Sequence, residues 1–228
     1  GLYSSAAFLQ TVMLLLSQTI TNIWTPLVYK LCDDEEKLKP LIHKFGLICA
    51  FIVTLCLAFC ILTRRYIVLL LDEKYYSVFI IAPAILYGAC INIVALIYAV
   101  GIEIKKKTKF LVLLPIVQGA VSIVLCLACV PALGIKGVAI ASLLSIFISS
   151  GLRICIGLKL YGSSQSEWRS AVLVCTSVVF ALIALFFSTF MSDIIMFAML
   201  IGIAFCIVHH EIKDLVGFFM SMLVRKKA

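Results

Sequence analysis

Ser4, Gln10, Thr11, Ser17, Gln18, Thr21, Asn22 and Thr25 recur at intervals that suit one side of an α-helix. At about 100° per residue they fall within roughly 140° of arc, and the rest of that circumference is almost wholly Ala, Val, Leu, Ile, Met and Phe. Amides and hydroxyls are costly in hydrocarbon unless they meet partners or water. The stripe should therefore face other helices or a hydrated cavity, and its chemistry is hydrogen bonding to something polar within a membrane.

Two later stretches repeat the pattern. Pro115, Gln118, Gly119 and Ser122 stand at i, i+3, i+4 and i+7, which puts a kink, an amide, a small residue and a hydroxyl on one face. Ser142, Ser145, Ser149, Arg153 and Gly157 share about 120° of another helix. Every such stripe has two readings, because small residues and hydroxyls also let membrane helices approach and bond one another. On the cavity reading the lining residues are Gln10, Thr11, Gln18, Thr21, Asn22, Gln118, Ser122, Ser145, Ser149 and Arg153. Arg153, the one basic residue read inside an apolar run, either snorkels to the interface or offers its planar guanidinium to a phosphate or diphosphate.

No catalytic residues, metal site or cofactor are expected. All 11 acids fall in loops or at the ends of apolar runs, with Glu103 the nearest to a buried position. His209, His210 and Glu211 do not form a metalloprotease H-E-x-x-H, and they end an apolar run where polar residues belong. Nine of the ten cysteines lie inside apolar runs and read as small hydrophobes; Cys126 and Cys129 have C-x-x-C spacing but no neighbouring His or acid.

The elements that hold these residues are membrane spans. Hydrophobic residues make up 64% of the 228 and charged ones 13%, far from the roughly 45–50% and 25% of soluble domains. Apolar segments at 6–28, 45–62, 77–102, 110–130, 137–158, 171–191 and 194–208 predict an all-α, polytopic transmembrane helix bundle of about seven spans. Residues 1–160 read as a polar-lined bundle of five spans, and 161–228 as two peripheral spans with a basic cytoplasmic tail. Residues 67–71 read as an interfacial turn, and 215–224 as a segment lying along the membrane surface. If the first span runs inward, 15 of the 19 Lys and Arg fall on one side, and only Arg64, Arg65, Lys74 and Lys136 on the other. The positive-inside rule then makes the C-terminus cytoplasmic. The net charge of +8 is a topology signal, with no soluble domain to carry a nucleic-acid site.

Five motifs in order resemble the polysaccharide transport family of the multidrug/oligosaccharidyl-lipid/polysaccharide exporter superfamily. Gly1-Leu2-Tyr3-Ser4-Ser5-Ala6-Ala7 is similar to its G-[IL]-Y-S-x-A start of the eighth helix, and Trp24-Thr25-Pro26 with Tyr29-Lys30 to its W-[ST]-P-x-x-Y-K end. Residues 75–86 resemble Y-x-x-A-x-x-I-x-P-x-L, residues 101–108 G-I-x-x-x-K-K-T, and residues 130–142 the P-x-x-G-I-x-G-A-A-I-A-T turn. The sequence departs from that pattern in lacking an asparagine shortly before Pro131 and in having Ser77 or Val78 where the alanine stands.

The resemblance implies the eighth to fourteenth helices of a fourteen-helix flippase, with the N-terminal lobe of the same protein as a partner missing from this chain. Gly1 in place of Met fits a later part of a longer protein. The implied activity is not enzymatic. It is translocation of an undecaprenyl-diphosphate-linked oligosaccharide across the bacterial inner membrane, for O-antigen, capsule or exopolysaccharide synthesis, with membrane lipids around it and no nucleic acid. The alternatives are a drug or small-molecule antiporter of the same superfamily and, further off, a membrane-embedded enzyme of polysaccharide assembly.

The charge asymmetry makes a direct prediction. In a cysteine-free background and intact cells, an impermeant thiol reagent should label Lys136→Cys and leave Lys107→Cys untouched. The reverse pattern would invert the orientation.

Overall fold

A computed structural model describes the backbone of residues 2–32, 34–69, 78–107, 109–161, 168–187 and 189–225. Within these, side chains are described between residues 11 and 209, apart from 12–14, 16, 35, 37, 65, 67–69, 78 and 79. The chain is an all-α, polytopic bundle: α1 (Leu2–Leu31), α2 (Glu35–Leu69), α3 (Val78–Tyr98), α4 (Val100–Ile104), α5 (Lys109–Leu133), α6 (Ile135–Tyr161), α7 (Trp168–Phe186) and α8 (Phe190–Arg225), with no strand among the described residues. Six of these helices, α2, α3 and α5–α8, are long and apolar enough to cross a membrane. At 30 residues α1 has the length as well, but the side chains of its first turns lie outside the described residues.

α3 is the centre, packed by α1, α2, α6 and α7. Its sequence dictates this, because it is apolar all round, and a helix with no polar face is stable only when enclosed. Ile81, Ala84, Tyr87, Ile91, Val94 and Ile97 are all buried. Within the spanning windows 83% of α3 is buried against 6% of α5, which leans on α6 and turns most of its surface outward. α7 packs on α2 and α3, and α8 on α2.

Small residues set the closest crossings. A Cβ on Gly101 would collide with the Gly157 carbonyl, and one on Gly157 with the Tyr98 carbonyl, so α6 crosses the α3–α4 junction backbone to backbone. Gly46 of α2 likewise leaves the space that the Tyr98 ring fills. The α5–α6 hairpin reverses at Gly134, whose φ of 55° suits glycine, and its N–H donates to the Val130 carbonyl at 2.9 Å.

Three sequence expectations need correction. The backbone of α8 runs unbroken through His209, His210 and Glu211 to Arg225, where the sequence reading ends a span and lays a separate segment on the surface. α2 continues as helix to Leu69, over most of the stretch read as a separate interfacial turn, and residues 70 and 71 lie outside the described residues. Arg64 and Asp193, read as loop or span-end charges, are fully buried.

The Arg64–Asp193 pair joins three helices. Arg64 Nε donates to Asp193 Oδ2 at 3.2 Å, and Nη2 reaches Oδ1 of the same carboxylate. Arg64 Nη1 also donates to the Ala184 carbonyl at 2.7 Å and Nη2 to the Phe187 carbonyl at 2.6 Å. These are end carbonyls of α7, which have no partner inside their own helix. One guanidinium at the end of α2 thus caps α7 and holds the first turn of α8.

Removing one member leaves a buried uncompensated charge. Arg64→Ala should cost about 3–5 kcal/mol. Arg64→Leu combined with Asp193→Leu should recover much of that loss. Thermal unfolding of purified protein in detergent checks both, and a single variant within about 1 kcal/mol of the parent would mean the pair contributes little beyond an exposed bridge.

Candidate functional site

The polar stripe of α1 divides into two faces. Ser17, Trp24 and Val28 are buried, with the Trp24 ring stacked on Phe45 of α2 at 4.5 Å, and this side packs into the bundle. Thr21 and Thr25 sit at its margin, half-buried, with the Thr21 hydroxyl donating to the Ser17 carbonyl at 2.9 Å. Thr11, Gln18 and Asn22 are exposed, and at positions i, i+7 and i+11 they line up within about 40° of arc. Tyr29, also exposed, continues the row. The Gln10 and Ser4 side chains lie outside the described residues.

On α5 and α6 the hydroxyls are used inside the bundle. Ser145 and Ser149 are both 2% exposed; the first donates to the Ser142 carbonyl at 2.9 Å and the second to the Leu114 carbonyl of α5 at 3.4 Å. Ser150, which the sequence reading passes over, donates to Asn92 Oδ1 of α3 at 3.4 Å. Gln118 and Ser122 are half-buried, whereas Pro115 and Gly119 face outward.

Arg153 follows one turn after Ser149, half-buried, with its Nε enclosed and no hydrogen-bond partner for it. The opposing charge is Glu103 on α4, brought near by the glycine crossing. Burial pushes the Glu103 carboxyl above its ordinary value, and Arg153 pulls it part of the way back. Arg153 thus has a nearby counter-charge and one enclosed donor without a partner.

A separate cavity of about 290 Å³ opens between α3, α6 and α7. Its wall is mostly apolar, and its polar groups are engaged: the Tyr98 hydroxyl bonds Ser170 Oγ at 3.1 Å, and Ser150 bonds Asn92. None of the residues expected to line a polar cavity borders it. Among the described residues no group of three or more His, Cys, Asp or Glu is placed to hold a metal ion. The structure therefore sets Glu103 within electrostatic range of Arg153, and Thr11, Gln18 and Asn22 in an outward row on α1, which like α6 packs on α3.

The chain matches no known family model, no curated protein and no solved structure.

An exposed row of amides and hydroxyls on a membrane helix is stable only against water or another protein surface. In native membranes carrying the protein, Gln18→Cys and Asn22→Cys should react with a charged methanethiosulfonate. Ile23→Cys, on an exposed apolar flank, should not. Equal protection of all three would show that the row is dry.

Proposed function

We propose that this chain forms one lobe of a flippase for undecaprenyl-diphosphate-linked oligosaccharide in a bacterial inner membrane, with its C-terminus in the cytoplasm. The observation that carries the reading is the exposed Thr11, Gln18 and Asn22 row on a helix whose opposite side is packed into an apolar bundle. The ordered motif resemblance supports the substrate class. In this mechanism the row lines a hydrated path for the sugars, and a second lobe, from the remainder of the protein, closes the other side. The two lobes rock about the substrate, and no bond is made or broken.

Arg153 holds the anionic end of the substrate in this picture. Its half-buried guanidinium has Glu103 as a counter-charge before loading, and the exposed part of the fork takes the diphosphate.

A second reading, a small-molecule antiporter, draws on Glu103, because a half-buried carboxyl with a raised pKa can exchange a proton with a cation. Asp193 does not serve that reading, since Arg64 already occupies it. Under the antiporter reading Glu103→Gln abolishes drug efflux; under the flippase reading it leaves no efflux to lose.

Losing a charge-assisted contact to an anion costs about 1.5–3 kcal/mol, roughly ten- to hundredfold in affinity. In the full-length protein at normal expression, Arg153→Gln should abolish most surface polysaccharide, and Arg153→Lys should be intermediate, keeping the charge but not the fork. Wild-type polysaccharide from Arg153→Gln would rule out the anion contact.

A further inference from the structure

Lys105, Lys106, Lys107 and Lys109 are all exposed where α4 gives way to α5. The turn closes in a way that usually calls for glycine. Lys106 N–H donates to the Glu103 carbonyl at 2.9 Å and Lys107 N–H to the Ile102 carbonyl at 3.0 Å, with Lys106 itself at a φ of 54°. Glycine adopts that left-handed conformation freely and lysine does not, so Lys106 stands here against a local steric preference.

Two adjoining hollows begin at this turn. One, of about 480 Å³, is bounded by Lys106, Lys107, Lys109, Phe110 and Leu113. The next, of about 410 Å³, is bounded by Lys109, Val112, Leu113 and Ile116. Sharing Lys109 and Leu113, they make one shallow, open groove that is basic at the turn and apolar along the first turns of α5. Val112, Leu113 and Ile116 are all more than half exposed, on a spanning helix.

Such a groove has the two halves of a phospholipid in the right order. We infer that the α4–α5 turn binds an anionic phospholipid of the surrounding bilayer, with its phosphate on Lys105, Lys106, Lys107 and Lys109 and an acyl chain along Val112, Leu113 and Ile116. Exposed lysines at the membrane surface attract anionic headgroups, while the apolar stretch gives the chain a fixed track. The site does not depend on the transport reading, because it uses neither the α1 row nor Arg153.

The test uses the whole chain in vesicles, with Trp24→Phe and Trp168→Phe removing other indoles and Leu113→Trp placing one in the groove. Brominated phosphatidylglycerol and brominated phosphatidylcholine are compared as quenchers at equal mole fraction. Phosphatidylglycerol should associate about three- to tenfold more strongly at this indole, falling to parity when all four lysines become glutamine. Lys106→Gly should lower the preference part-way without lowering the thermal midpoint, since glycine accepts the turn's φ. If Leu113→Trp disturbs folding, Ile116→Trp reads the same groove.

Equal quenching by the two lipids would overturn the inference, as would a preference that survives loss of the lysines. Protection of the indole from both lipids would overturn it too, by showing that protein covers the face. Displacement of phosphatidylglycerol by a small fraction of polyprenyl diphosphate would overturn it in favour of the transported lipid.

Discussion

A guanidinium buried at the end of α2 organises one end of the bundle. Arg64 has to be satisfied completely, because nothing in a membrane interior solvates a charge that the protein leaves unpaired. Its partners come from two other helices: the Asp193 carboxylate in the first turn of α8, and the Ala184 and Phe187 carbonyls at the end of α7. Those carbonyls would otherwise be orphans of a helix terminus, and Asp193 sits where the positive end of the α8 dipole favours an anion. The α7–α8 turn is thereby held against α2. Thr54 and Ser177 bond at 3.1 Å deeper along the same contact, so polar pairing continues inward from the ion pair.

The opposite end is held by different physics. There Gly101, Gly157 and Gly46 let backbones and the Tyr98 ring approach at distances that any side chain would forbid. Close approach multiplies dispersion contacts, which lipid does not undercut the way it removes the hydrophobic driving force between helices. Lys39 lies over the Tyr161 ring at this end, and Lys136 over Phe186 at the other, so basic side chains finish aromatic edges at both ends. With α2, α3, α6 and α7 locked in this way, α1 and α5 are left to present outward faces.

Much of the fold was legible because lipid simplifies the code. Long apolar runs had to be helices, and the turn at Gly134 was marked by Pro131 and glycine. Charges at the ends of runs were harder, since a polar residue beside a span is the ordinary case. Arg64 and Asp193 both fall on the same side when spans are counted alternately, and two opposite charges at the same depth were the available signal for a pair. The unbroken course of α8 through His209 and His210 left no such mark, as a helix continues past a polar patch without changing its period. For the candidate site, Arg153 and the α1 stripe were readable as polar groups in apolar runs. Their division into buried and exposed halves was not, because a 140° stripe does not say which part faces the bundle.

That division is the step from structure to function. Had Ser17, Gln18 and Asn22 all been buried together, helix packing would explain the whole stripe, as it describes Ser145 and Ser149 on α6. Instead, the buried side of α1 is Ser17, Trp24 and Val28, and Thr11, Gln18 and Asn22 are exposed. Exposed polar residues that would be costly against lipid need another surface or water to meet them. The same reasoning separates α5, whose outward face is apolar and suits lipid chains, from α1, whose outward face carries the polar row beside an apolar flank. The two exposed helices therefore meet different surroundings, and the proposed path for a hydrophilic cargo rests on the polar one.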